Sequence, residues 1–172
     1  MLNRENIDYV VVGGLAVNFH GLPRTTMDMD LILQISEDEI PKLAEFLARK
    51  GFQVSASGLK RAFEEKTHCT IPDKRSMFRL DIKGIYSEAD RRTFERRILF
   101  KYKGTKIYIA AAEDLIASKL LYGGEQDLKD AEGIYIRQLG KLDMKYLERI
   151  CREMGVSGEL AKIRRKVKSG SR

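Results

Sequence analysis

Two aspartates one residue apart, Asp28 and Asp30, sit in an apolar stretch that follows a glycine pair, Gly13-Gly14. In an extended chain, residues i and i+2 project to the same side, so both carboxylates face one way, several ångströms apart. Hard oxygen donors so placed suit bridging divalent cations. Without a cation the two anions repel, so a purely structural role requires a basic neighbour, for which Arg24 is a candidate. The glycine pair follows the apolar run Tyr9-Val10-Val11-Val12. A strand-to-helix turn lacking Cβ atoms exposes backbone N–H groups at a helix N-terminus, where phosphate oxygens bind. A phosphate cradle and metal carboxylates together are the minimum equipment for transfer from a nucleoside triphosphate.

Other phosphate-binding patterns fit less well. A dinucleotide loop requires GxGxxG opening a helix, with an acidic residue about 20 residues on. Gly13, Gly14, Ala16 and Gly21 do not give that spacing, and the next strand carries its carboxylates in its middle. A Walker loop is excluded because neither GKS nor GKT occurs.

The elements that must position these groups follow from periodicity. Residues 8–12 read as a buried strand and 15–20 as a short helical turn, closed by Gly21 with Pro23 beyond. In residues 27–35, Met27, Met29, Leu31, Leu33 and Ile35 alternate with Asp28, Asp30, Ile32 and Gln34, a period-2 strand. Ser36 caps a helix running to Lys50-Gly51, with Glu37, Asp38 and Glu39 in its first turn. Residues 52–54 are expected as a strand and 55–58 as a loop, with further strands at 67–71 and 77–82 around Pro72-Asp73-Lys74. Residues 88–97 are charged and irregular, a short helix at most, and 98–102 with 106–110 form a hairpin about Gly104. After residue 111 the strand signal ends, and helices are expected at 112–122, 126–139, 144–154 and 158–167. The expectation is an α/β (α+β) core over residues 1–111 with a mixed sheet flanked by helices, then a helical region over 112–172. The last residues, 168–172, are expected to be disordered.

Composition narrows the class. The chain has 172 residues, enough to bury one core with a small helical appendage. No apolar run approaches the roughly 18 residues that span a bilayer, and MLNRENID has no signal-peptide core, so a cytoplasmic protein with no membrane partner is expected. Cys69 and Cys151 lie far apart without metal-ligand spacing, and His68-Cys69 lacks the residues that would complete a zinc site. The net charge of +7 is uneven: residues 1–59 carry −3, 60–106 +7, 107–136 −4 and 137–172 +7. Acidic segments that collect cations, flanked by basic surface that attracts a polyanion, would produce this map, as would a solvated, salt-bridged surface.

The order strand, Gly13-Gly14, short helix, Gly21, Arg24-Thr25-Thr26-Met27-Asp28-Met29-Asp30-Leu31 resembles the hGG…G…RxTxDxDL motif of the polymerase-β-like nucleotidyltransferase superfamily. It is similar in particular to the small prokaryotic branch of AbiEii-type toxins and lincosamide-type resistance enzymes. The resemblance implies that Gly13 and Gly14 hold the triphosphate and that Asp28 and Asp30 bind magnesium at a two-ion site. Arg24 and Thr26 would shape the loop or touch phosphates. The family uses a third carboxylate on a later strand, for which Asp81 in Phe78-Arg79-Leu80-Asp81-Ile82 is the candidate.

The resemblance extends to residue 135. Residues 112–121 followed by Asp127-Leu128-Lys129-Asp130 are similar to the family's helical segment, in which a lysine, here Lys119, contacts the triphosphate. Lys119 would otherwise be a surface lysine, and Asp127 and Asp130 either support the site or cap and salt-bridge the helix. Gly124 stands where many relatives carry an arginine. The activity implied is Mg²⁺-dependent transfer of a nucleoside monophosphate from an NTP to a hydroxyl of an RNA or tRNA end, a protein or a small molecule, in a toxin–antitoxin component or a resistance-type enzyme. The alternative is a catalytically degenerate module that binds a nucleotide or a partner chain.

Overall fold

The computed structural model describes residues 2–170, so Met1, Ser171 and Arg172 lie outside the described residues. The elements are β1 (Asp8–Val11), α1 (Gly13–His20), β2 (Asp28–Gln34), α2 (Ile40–Arg49), α3 (Ala56–Glu64), β3 (Cys69–Pro72) and β4 (Arg79–Gly84). They continue as α4 (Glu88–Glu95), β5 (Ile98–Tyr102), β6 (Thr105–Ile109), α5 (Ala112–Tyr122), α6 (Glu125–Arg137), α7 (Met144–Glu153) and α8 (Ser157–Gly170). The chain divides into two compact units, 1–15 with 25–110, and 16–24 with 111–172. The division at 110 falls beside the composition change at 111; the segment 16–24, read above as part of the first half, groups with the C-terminal helices.

The first unit is built on a six-stranded mixed sheet of order β3-β4-β2-β1-β6-β5. β1 runs antiparallel to β2 and parallel to β6, while β2 runs parallel to β4. Central strands need apolar residues on both faces, and Val10, Val11, Leu31, Ile32 and Leu33 are all buried. The alternation predicted for β2 therefore fails at both ends. From Leu31 to Leu33 both faces are covered, whereas Met27 and Met29 are exposed near the strand's start, beside the half-buried Asp28 and Asp30.

Several boundaries differ from expectation for local reasons. Ser55-Ala56-Ser57-Gly58 is not a loop: Ser55 Oγ accepts the Gly58 N–H at 3.1 Å and caps α3, which buries Leu59 and Ala62. Phe52 makes one isolated bridge to Asp73, so residues 52–54 are no strand. Ser36 donates its N–H and hydroxyl to Glu39, so the following helix opens with a 3-10 turn at Glu37–Glu39 before α2. Residues 88–95 form a regular helix because Ser87 and Asp90 cap it reciprocally.

In the second unit α5 is buried almost throughout and packs on α6 and α7. Its first-turn carboxylates are used structurally: Tyr146 Oη donates to Asp114 Oδ1 at 2.5 Å, and the Asp143 N–H to Glu113 Oε1 at 2.8 Å. The segment 16–24 is held to α6, where Gly21 leaves room for Ile134 and Gly133 for Leu22. α8 runs on through residues 168–170; residues 171–172 of the expected tail lie outside the described residues. Among the described residues no helix is long and apolar enough to cross a membrane.

Candidate active site

β1 ends at Val11, and the chain turns at Gly13 with φ +59°, in the left-handed region that favours glycine. The Val12 N–H donates to the Asp30 carbonyl at 3.0 Å, which ties the turn to β2. A Cβ at Gly13 would collide with the Asp30 carboxylate. The glycine turn and the aspartate strand are thus one packed unit.

Across β2 and β4 the parallel register pairs Asp28 with Arg79 and Asp30 with Asp81. Register partners project to the same face, so Asp28, Asp30 and Asp81 share one side of the sheet. Thr70, opposite Asp81 on β3, donates its hydroxyl to Asp81 Oδ1 at 2.5 Å. Arg79 Nε stands 2.5 Å from Asp28 Oδ1 as an ion pair. It lies off the hydrogen-bond axis, for Oδ1 is a buried oxygen without an aligned donor. The cation beside Asp28 is therefore Arg79; Arg24, the candidate in the sequence, forms its ion pair with Asp130.

Three carboxylates on one sheet face are a hard-oxygen donor set of the kind that binds Mg²⁺, and the buried, poorly partnered Asp28 Oδ1 with a guanidinium beside it fits a cation position. The Asp28 side chain is turned toward Arg79, Asp81 toward Thr70 and Asp30 toward the Gly13 turn, and among the described residues no three His, Cys, Asp or Glu groups converge as a ready metal cage. Thr26 Oγ1 lies 3.5 Å from the Asp28 N–H, at the start of the strand. A cavity of about 210 Å³ opens at this end, lined by Thr26, Asp28, Arg79, Leu15, Phe52 and Phe78 among others.

The second unit holds Arg24, Lys119, Asp127 and Asp130. Arg24 grips Asp130 bidentately, Nε to Oδ1 at 2.8 Å and Nη2 to Oδ2 at 2.9 Å. Its N–H and carbonyl are fixed by the Asn18 amide at 2.8 and 2.9 Å. Lys119 is no surface lysine: it is buried, with Nζ 2.6 Å from Asp127 Oδ1 and 3.1 Å from Asp130 Oδ2. Burial pushes the Asp130 carboxyl up, but hydrogen bonds from Arg24, Gln126 and Lys119, with the lysine's charge, outweigh it and hold the group below the usual carboxylate range. Asp130 is thus an ion-pair hub.

Sequence reasoning passed over Arg79 and Thr70. The signal for Arg79 was present, since it lies two residues before Asp81 on the same strand and so on the same face. Thr70 needed the β3–β4 register, a tertiary fact.

This mixed sheet, with a glycine turn packed on an Asp-x-Asp strand and a third aspartate in register, defines a nucleotidyltransferase-like α+β fold. The chain belongs to the family described as a nucleotidyltransferase of unknown function, DUF6036, whose model matches residues 1–167. Solved structures share the fold. An antigenic nucleotidyltransferase-like protein from Paracoccidioides brasiliensis aligns at TM-score 0.62 and 20% identity, over 98% of this chain and 85% of that one. The antibiotic-resistance factor ANT(2'')-Ia aligns at 0.60 and 12%, over 97% and 91%. The lincosamide antibiotic adenylyltransferase LnuA, lincomycin-bound, aligns at 0.53 and 15%, over 77% and 89%. A sequence search of curated proteins found no match.

Proposed function

We propose that the protein transfers a nucleoside monophosphate from an NTP to an acceptor hydroxyl in a Mg²⁺-dependent reaction: the hydroxyl oxygen, losing its proton, bonds to the α-phosphorus as the bond to the β-phosphate breaks and pyrophosphate leaves. The observation that carries this reading is the packing of the Gly13 turn against the Asp30 carboxylate, with Asp81 in register beside it. The turn offers backbone N–H groups to triphosphate oxygens next to the carboxylates. Asp28, Asp30 and Asp81 would hold divalent cations, which would supply charge neutralisation at the phosphates and activation of the acceptor hydroxyl.

The chain's own residues do the positioning. Thr70 fixes the rotamer of Asp81, and Thr26 braces the entry to β2. Within the second unit, the Asp127–Asp130 cradle orients the Lys119 ammonium. Arg24 shapes the segment after α1 through Asn18 and Asp130. Rate enhancement comes from orientation and electrostatics, without a covalent enzyme intermediate.

The cavity of about 210 Å³ beside Asp28 favours a small-molecule hydroxyl, as in the adenylyl-2''-tobramycin complex of ANT(2'')-Ia. An RNA end or a protein, and a toxin–antitoxin role, are the further acceptor settings to be screened. The Arg79–Asp28 pair supports the second reading, a nucleotide- or partner-binding module without turnover. Calorimetry of NTPs with and without Mg²⁺, on wild type and on Asp28→Ala/Asp30→Ala, tests the proposal. Metal-dependent binding lost in the double variant is expected; no NTP binding to folded wild type overturns the stand-alone enzyme.

A further inference from the structure

We infer that Arg79 is the protein's built-in counter-cation for Asp28, and that a divalent cation reaches this carboxylate only by displacing the guanidinium. The inference rests on the reading of Asp28 as a metal ligand and adds Arg79 as a positioning residue that sets the metal affinity of the site.

The pair is built by the sheet. Asp28 and Arg79 are register partners on parallel strands, and the Arg79 N–H donates to the Met27 carbonyl at 3.1 Å. The two Cα atoms are therefore locked side by side, and the 2.5 Å contact between Nε and Oδ1 is a consequence of register. The guanidinium neutralises the anion without a well-aligned hydrogen bond, because Oδ1 stays buried and unsatisfied. A small cation on that oxygen would satisfy it better, having no directional requirement of this kind.

Arg79 is also free to leave. Its side chain is 49% exposed, so the guanidinium can turn into water without uncovering core. Arg79 is the register partner of Asp28 and lies two residues before Asp81, the register partner of Asp30, so the guanidinium shares one sheet face, and one electrostatic field, with all three carboxylates. A guanidinium and a divalent cation sharing one carboxylate repel at a few ångströms. Occupancy by one must therefore weaken the other.

The test uses Mn²⁺ alone, without nucleotide, followed by electron paramagnetic resonance on the full chain. Arg79→Met is expected to bind Mn²⁺ about tenfold more tightly than wild type at low salt, the gain shrinking as salt screens the field. Arg79→Lys, which keeps the charge, stays within about twofold of wild type, as does Lys101→Met, a charge removal on β5. In wild type the Arg79 Nε–H resonance shifts on titration with Mg²⁺, a readout that requires no variant. Unchanged or weaker Mn²⁺ binding by Arg79→Met overturns the inference and leaves the metal reading of Asp28 standing. Absence of Mn²⁺ binding in both proteins sinks both.

Discussion

The Asp30 carboxylate fills the space that a side chain at Gly13 would occupy. This contact joins the glycine turn to the aspartate strand, and it makes Gly13 irreplaceable for two separate reasons. Its φ of +59° costs an alanine about 1 kcal/mol, and an added methyl displaces a carboxylate. Gly13→Ala is expected to lower stability by about 1–3 kcal/mol in urea titrations and to lose Mg²⁺-dependent NTP binding. Wild-type affinity in a folded Gly13→Ala protein would separate the turn from the site.

Thr70 holds Asp81 by a short hydrogen bond at the half-exposed end of two strands. Thr70→Val should change stability by about 1 kcal/mol at most, yet weaken Mn²⁺ binding because Asp81 loses its orienting donor. Asp81→Asn should lose more affinity than Thr70→Val. The reverse order would mean that Asp81 is held for the sheet and not for a ligand.

In the helical unit, Asp130 carries the ion-pair cluster. Removing it takes the bidentate partner from the partly buried Arg24 and one of two carboxylates from the buried Lys119, so Asp130→Ala is expected to cost about 3 kcal/mol by equilibrium unfolding. Asp127 is more exposed and touches Lys119 alone among these cations, so Asp127→Ala should cost roughly 1 kcal/mol. Equal losses would contradict the hub role of Asp130.

The same residue sets an acid limit. Its folded pKa is depressed, so the unfolded chain binds the proton more readily and the group's stabilisation is complete above the ordinary carboxylate range. That contribution disappears as pH falls below about 4 through the lowered value. Asp130→Asn, less stable at neutral pH, should show a shallower loss over this window. Parallel curves for the two proteins would remove Asp130 from the acid transition.

Cys151 is fully buried, and burial pushes its thiol up to about 11. Iodoacetamide at pH 8 should leave it unmodified in the native protein and label it on unfolding, since the thiolate is the reactive form. Mass spectrometry of tryptic peptides reads the difference. Native labelling at Cys151 would imply that the second unit opens locally.

Much of this architecture was legible in residue order. Gly13-Gly14 after a β-branched run, and Asp28-x-Asp30 on one strand face, fixed the turn and the carboxylates because both depend on local geometry. The helices from Ala112 onward were readable from glycine and aspartate punctuation. Ser55-Ala56-Ser57-Gly58 misled because its composition suits a loop as well as a capped helix start, and only Leu59 and Ala62 in the core decide. The roles of Arg79 and Thr70 escaped because each depends on which strand lies alongside; salt-bridging by Asp130 was among the readings, but its partner Arg24, 106 residues away, was not. Lys119 was visible as a residue type but not as a buried one, since its carboxylate partners lie a helix away.

The segment 16–24 also has a consequence for synthesis. Arg24 leaves the ribosome before its partner Asp130, which follows 106 residues later. At about 5–20 residues per second, the guanidinium waits roughly 5–20 s for its carboxylate. During that interval Val17, buried in the finished protein, has none of the helices α5 to α8 to cover it. The nascent chain thus carries residues 16–24 uncovered until residues 111–170, with which they form one unit, have been made.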